Sequence, residues 1–364
     1  MTVSRFGSDA PLAMKCERAC IPLVLLLALV ISALAWPSVA CAAGRITDFA
    51  FDSPALGKAQ SARIYRPGGV APAGGWPVLY LLHGLDGTAY DWEEAGGIGG
   101  TLDRMIGAGD IRPMLVVMPD AANSWYVDSA DVGGPGDYAA MILTDLPKAI
   151  ERAFPVGRDS AHRAIAGLSM GGFGALRLAL TVPERFGAVA ALSPAMWQNV
   201  PEDEFGKSAA DLALVRDSAY FHRFDPATIG IGIDIPPEGV HFGGAFGLPF
   251  QPLRFNAANV FTLLERASRN DAALPPIFLT VGDDDSHLLW RGAIAFFETM
   301  RADRRPIEFR MTDGDHSWDL WKVSIEDALR FIDSQIDQPK STGLPGPTPP
   351  KGATLSVPAE IAGR

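Results

Sequence analysis

The chain reads as an α/β protein with a mostly parallel sheet and helices on both faces. Three observations lead there. Continuous apolar runs at 77–82 and 114–118 have the length of strands buried on both sides. Segments of helical period alternate with such runs along the chain. Residues with reactive side chains, His83, Ser169, the Asp283 to Asp285 triplet and His316, fall just after the runs, where parallel sheets gather their sites.

The elements follow in order. Strand-like stretches lie near 47–51 and 61–65, then at 77–82, ended by His83-Gly84, and at 114–118, ended by Pro119-Asp120. Between 138 and 154, Tyr138, Met141, Ile142, Leu146, Ala149, Ile150 and Ala153 repeat at helical spacing. A strand ends at 164–166, and Phe173, Leu176, Leu178 and Leu180 mark the helix after it. A strand near 187–192 comes next. Residues 197–256 then break the rhythm with Pro, Gly, aromatics and charges, and read as an insertion or partial lid with a helix around 209–220. Regularity returns with a helix near 257–267, a strand at 277–281, a helix at 288–300 and a strand at 307–311. The last helix carries Trp318, Trp321, Ile325, Leu329, Ile332 and Ile336.

The ends of the chain differ in kind. Lys15 and Arg18 precede the apolar run 21–36, and Ala40-Cys41-Ala42 has the small-x-small form of a cleavage site, so residues 1–43 read as a secretory signal. Export to a periplasmic or extracellular space is expected. The run is short beside the roughly 20 residues of a spanning helix, which makes an uncleaved anchor the second reading. No membrane insertion is expected once the signal is removed. The catalytic domain spans 44–337, and the Pro/Gly-rich segment 338–364 reads as a disordered tail. All three cysteines lie at or before Cys41, so the domain has no disulfide, thiol nucleophile or Cys-held metal. The formal charge of −11 and the lack of a Lys/Arg-rich run argue against nucleic acid as a partner. Oligomeric state is not legible.

The string Gly167-Leu168-Ser169-Met170-Gly171 stands between a strand and a helix. A nucleophile elbow needs that context, because a sharp turn must lift the serine Oγ above the sheet. The helix start after Ser169 offers backbone N–H groups to a developing oxyanion. A serine also needs a base, and the order in such folds is serine, acid, histidine. Of six histidines, only His287 and His316 follow an acid cluster at a strand end. His287 is two residues from that cluster and reads as solvated or capping, whereas His316 lies in a Gly-containing loop that can return the ring over the sheet. The acid is one of Asp283, Asp284 and Asp285. A metal held by these aspartates and His287 is the weaker reading, since the spacing matches no known ligand set. The loop "HGLDG" supplies a second oxyanion donor, the Leu85 N–H. The loop "NSWYVDS" puts Trp125 and Tyr126 near a strand end as candidate substrate contacts. Trp197, with Phe242, Phe246 and Phe250, is the candidate lid, although each of these rings also suits a core.

The strings "YLLHGLDG", "NSWYVDS", "GLSMGG", "TVGDDDSH" and "DGDHSWDLW" together resemble the esterase family of α/β-hydrolases. Its branches include S-formylglutathione hydrolases, feruloyl and acetyl-xylan esterases, enterochelin esterases and antigen 85 mycolyltransferases. The resemblance covers about residues 45–336. It implies Ser169 as nucleophile, Asp285 as acid, His316 as base, and backbone donors at Leu85 and Met170, with no cofactor and no metal. The implied activity is an exported serine carboxylesterase acting on small-molecule or carbohydrate esters, with short-chain or aromatic acyl groups. An acyltransferase with the same residues is the alternative. A non-catalytic binding protein on the same scaffold is a third reading, disfavoured by the complete residue set.

Overall fold

A computed structural model describes residues 43–200, 202, 205 and 242–336. Residues 1–42 of the expected signal, the expected helix at 209–220 and the expected tail lie outside them. Eight strands form one sheet: β1 (Arg45–Ser53), β2 (Lys58–Arg66), β3 (Val78–Leu82), β4 (Leu115–Pro119), β5 (Arg163–Leu168), β6 (Ala188–Leu192), β7 (Ile277–Gly282) and β8 (Glu308–Thr312). Their spatial order is β1-β2-β4-β3-β5-β6-β7-β8. The first two pairings are antiparallel, and every pairing from β4 to β8 is parallel.

The apolar runs are continuous because neighbouring residues on one strand feed two different cores. Tyr80, Leu82, Val117, Ile165 and Leu279 face one side, with Phe173 and Leu176 of the helix Met170–Thr181. Leu79, Leu81, Val116, Ala164 and Phe278 face the other, with Leu102 of the helix Ile98–Ala108 and Ile325 and Leu329 of the helix Trp318–Gln335. Burying both faces excludes the polar alternation of a one-sided sheet. Among the described residues no helix is long and apolar enough to cross a membrane.

Three elements depart from the sequence reading. The helix Ile98–Ala108 has no counterpart in the sequence reading, since its three glycines, Gly99, Gly100 and Gly107, depress helix propensity. Ile98, Leu102 and Met105 nevertheless bury one stripe, and tertiary packing decides. The single helix expected at 138–154 is instead Tyr138–Ala140, a widened π turn at Met141–Asp145, and Leu146–Ala153. Pro147 lacks an N–H to continue a regular ladder. The Asp145 carboxylate there accepts from Ser53 Oγ at 2.8 Å and Ala55 N–H at 2.9 Å. The helix expected at 257–267 is Pro252–Ala258 followed by Val260–Arg269, broken at Asn259, whose buried amide donates to the Trp197 carbonyl at 2.9 Å.

Strand register brings the chemistry together. Leu82 pairs with Gly167, Leu168 with Leu192, and Leu192 with Thr280. His83, Ser169 and Ser193 therefore leave the sheet side by side at its carboxyl edge. The turn at Ser169 packs so closely on β3 that a methyl group on Gly171 would lie 2.5 Å from the His83 carbonyl and 2.6 Å from that of Leu82. Both obstacles are backbone and cannot rotate away. Gly171→Ala should therefore cost roughly 1–3 kcal/mol of unfolding free energy, as overpacking does. Urea titration against the parent measures it, and an unchanged midpoint would refute this account of the contact.

Candidate active site

Ser169 joins β5 to the helix Met170–Thr181 with φ 53° and ψ −119°. A side-chain-bearing residue takes that conformation only where its surroundings over-determine it. Here they do. The Ser169 N–H donates to Leu192 O at 2.9 Å, and its carbonyl accepts from Phe173 N–H and Ala195 N–H, each at 3.0 Å. The turn is held at the start of the helix and beside the adjoining strand, which leaves Oγ on the rim.

His316 arrives from the loop after β8. That loop turns at Gly314, with φ 147°, and the Gly314 N–H donates to Asp283 Oδ1 at 3.2 Å. His316 Nε2 lies 3.0 Å from Ser169 Oγ, and Nδ1 lies 2.8 Å from Asp285 Oδ2. A carboxylate can only accept, so Nδ1 carries the proton and the Nε2 lone pair faces the serine. Of the three adjacent aspartates, Asp283 and Asp284 are exposed and Asp285 is 1% exposed. Its other oxygen accepts from the His287 N–H at 3.0 Å. The three residues thus form one hydrogen-bonded line. Such a line can take a proton from a serine and hold the resulting imidazolium.

Several residues outside the expected set shape this line. Asp315 Oδ1 accepts from the Ser286 N–H at 2.8 Å and the His316 N–H at 2.6 Å, stitching the acid loop to the histidine loop. Those backbone hydrogen bonds, that of His316 first, hold its carboxyl below the usual carboxylate range. The tie therefore contributes fully above the unfolded value of about 3.9 and is lost as pH falls through the lower folded value. Two rings meet the His316 ring edge to face, His287 at 4.8 Å and Trp321 at 4.9 Å. Trp321 Nε1 donates to Ser193 Oγ at 3.2 Å. The sequence reading placed Trp321 in the last helix and gave it no part in the site. One helical turn beyond Trp318 brings Trp321 back over the loop. His287 is held below the usual histidine range by burial and then by the nearby His316.

The oxyanion candidates lie on both sides of Ser169. Met170 opens its helix, so its N–H has no preceding turn to receive it. Leu85 follows Gly84, whose added methyl would lie 3.5 Å from Ser169 Cβ.

The expected substrate contacts need correction. Trp125 and Tyr126 are 1% and 0% exposed. Trp125 packs among Phe173, Trp197, Phe242 and Phe246 at ring distances of 5.1 to 6.4 Å. The Tyr126 hydroxyl donates to the His83 carbonyl at 2.9 Å. Phe242, Phe246 and Phe250 are buried in the same cluster rather than laid over the site as a lid. Trp197 is half-buried at its edge. Aromatic rings packed against one another bury more area than rings on an open wall, and this run of the sequence is core. Among the described residues, Asp283, Asp284 and Asp313 are close enough to share an ion, but all three are exposed and none adjoins a histidine ligand.

The family model described as "Putative esterase" matches residues 53–332, and the chain belongs to that family. An endo-1,4-beta-xylanase/feruloyl esterase of Xylanibacter ruminicola is 33% identical over 150 residues, 40% of this chain and 21% of that protein. The alignment thus spans about a fifth of that relative's length. An acetyl esterase of Caldicellulosiruptor saccharolyticus is 24% identical over 71% of this chain and 84% of its own. The structure of a ferulic acid esterase superposes with a TM-score of 0.58 at 25% identity, covering 80% of this chain and 98% of that one. The fold is that of the α/β-hydrolases.

Two outcomes follow from these placements. Trp125→Ala should cost about 3–5 kcal/mol of stability, as a large ring removed from a core does. Thermal or urea unfolding measures it, and a variant of parental stability with a raised KM would restore the substrate-contact reading. His287→Ala should leave esterase turnover within about tenfold of the parent, far above the loss expected for a triad residue. A loss as large as that of His316→Ala would make His287 the base.

Proposed function

We propose that this protein is an exported serine carboxylesterase that cleaves short-chain or aromatic acyl esters, those borne on carbohydrates included, through a covalent acyl-enzyme. One observation carries the proposal: the line Asp285–His316–Ser169, with Ser169 at φ 53° above the strand end. Ser169 Oγ attacks the ester carbonyl carbon while its proton passes to His316 Nε2. Asp285 stabilises the imidazolium. The carbonyl oxygen, now an oxyanion, is received by the Leu85 and Met170 N–H groups. Collapse expels the alcohol, which takes the proton from His316 and leaves Ser169 acylated. Water then repeats the cycle and releases the acid.

The substrate class is supported by the relatives' named activities, feruloyl and acetyl ester cleavage. Export is supported by the sequence pattern of residues 14–42.

Ser169→Ala should lower kcat by at least about 10³-fold without unfolding the protein, and His316→Ala should do the same. Asp285→Asn should cost more than Asp283→Asn or Asp284→Asn, because only Asp285 fixes the imidazole tautomer. Hydrolysis of p-nitrophenyl acetate and of methyl ferulate reads all five variants. A Ser169→Ala protein within about tenfold of the parent would refute the nucleophile assignment. Long-chain esters turned over faster than acetyl or feruloyl ones would refute the substrate class.

A further inference from the structure

We infer that His83 is a positioning residue for the oxyanion donor: its Nδ1–H holds the Gly84 carbonyl and, through that one peptide plane, aims the Leu85 N–H at Ser169. The inference rests on the esterase reading above. His83 is 1% exposed. Its Nε2 accepts the Ala121 N–H at 3.0 Å, so that nitrogen carries a lone pair and the ring proton is on Nδ1. Nδ1 lies 2.7 Å from Gly84 O and donates to it. Burial holds the His83 pKa below the usual histidine range, which keeps the ring neutral and this tautomer in place.

The Gly84 carbonyl and the Leu85 N–H belong to the same planar unit. The Gly84–Leu85 bond is trans, since the one cis bond among the described residues is Leu248–Pro249. In a trans peptide the C=O and N–H point in opposite directions. Pinning the carbonyl toward His83 therefore turns the Leu85 N–H away from His83, and Gly84 itself borders Ser169. The neighbouring donors of the loop are used internally. Asp86 N–H donates to Asn123 Oδ1 at 2.7 Å, and Gly87 N–H donates to Gly84 O at 3.2 Å. Among the described residues the Leu85 N–H has no acceptor, which leaves it for a substrate oxygen.

His83 is itself held on its backbone. Its carbonyl accepts the Tyr126 hydroxyl, and its backbone is wedged against Gly171. The hydrogen bonds also run in one sense, from Ala121 N–H through the imidazole to Gly84 C=O. Each polarises the next, which strengthens the Leu85 N–H as a donor.

The test separates positioning from simple structural support. His83→Phe keeps a flat ring and removes both nitrogens. His83→Asn keeps a donor near the Nδ1 position and gives up the reach to Ala121. Phenylboronic acid is the probe, since its tetrahedral adduct on a serine places an oxygen where the oxyanion forms. His83→Phe should lower kcat about 10²- to 10³-fold, the loss of one oxyanion donor, with KM within about threefold. Its affinity for phenylboronic acid should fall with kcat/KM. His83→Asn should recover at least about tenfold of the loss. If His83→Phe does not fold, His83→Asn is read alone against the parent. A kcat within about tenfold and a boronate affinity that tracks kcat/KM then support the inference. A folded His83→Phe protein with kcat within about threefold of the parent overturns it. So does a boronate affinity that stays parental while kcat falls, in either variant. A fluorophosphonate that labels the parent but not Ser169→Ala keeps the esterase reading intact in those cases. Failure of that labelling would overturn the reading itself.

Discussion

The close approach of the Ser169 turn to the end of β3 is the constraint on which the site depends. Gly84 leaves room for the Leu168 side chain, and Gly167 and Gly171 let backbone meet backbone where a side chain would intrude. That contact forces Ser169 into a conformation costing about 1–3 kcal/mol, and the two flanking strands and the helix start hold it there. Because the turn abuts His83, Ser169 and the loop from His83 to Gly87 share one boundary. Small errors there would be costly, since reacting atoms must align to well under an ångström.

Around that boundary the site is assembled from loops whose own backbones are tied to one another. Asp315 fastens the loop of Asp285 to that of His316, and Asn123 fastens the loop after β3, at Asp86, to the segment after β4. Rings do the rest. His287 and Trp321 each meet the His316 ring at a right angle. Hydrogen bonds fix where the ring's two nitrogens point, and the aromatic contacts fix its plane.

The aromatic run from Trp125 to Phe250 has a different task. It packs the helix Met170–Thr181, through Phe173, against Trp197 and Phe242. Asn256 and Asn259 hold residues 197–200 from the other side.

Much of the fold and the reactive set was legible before any coordinates. Short continuous apolar runs suit strands buried on both faces, and their alternation with helical period points to a parallel sheet. The Gly-x-Ser-x-Gly turn, placed between strand and helix, marks Ser169, and chain order points to His316. Other features depend on three-dimensional contacts that no local pattern records. Which of three adjacent aspartates turns inward depends on where the β8 loop returns. The helix Ile98–Ala108 exists despite its glycines because a sheet face waits to cover its apolar stripe. Trp125 and Tyr126 have the composition of a binding wall, yet burial against Phe173 and His83 makes them core. A side chain's type says what chemistry it can do. Whether it meets solvent, substrate or another ring is a property of the packed whole, and that only the tertiary structure decided.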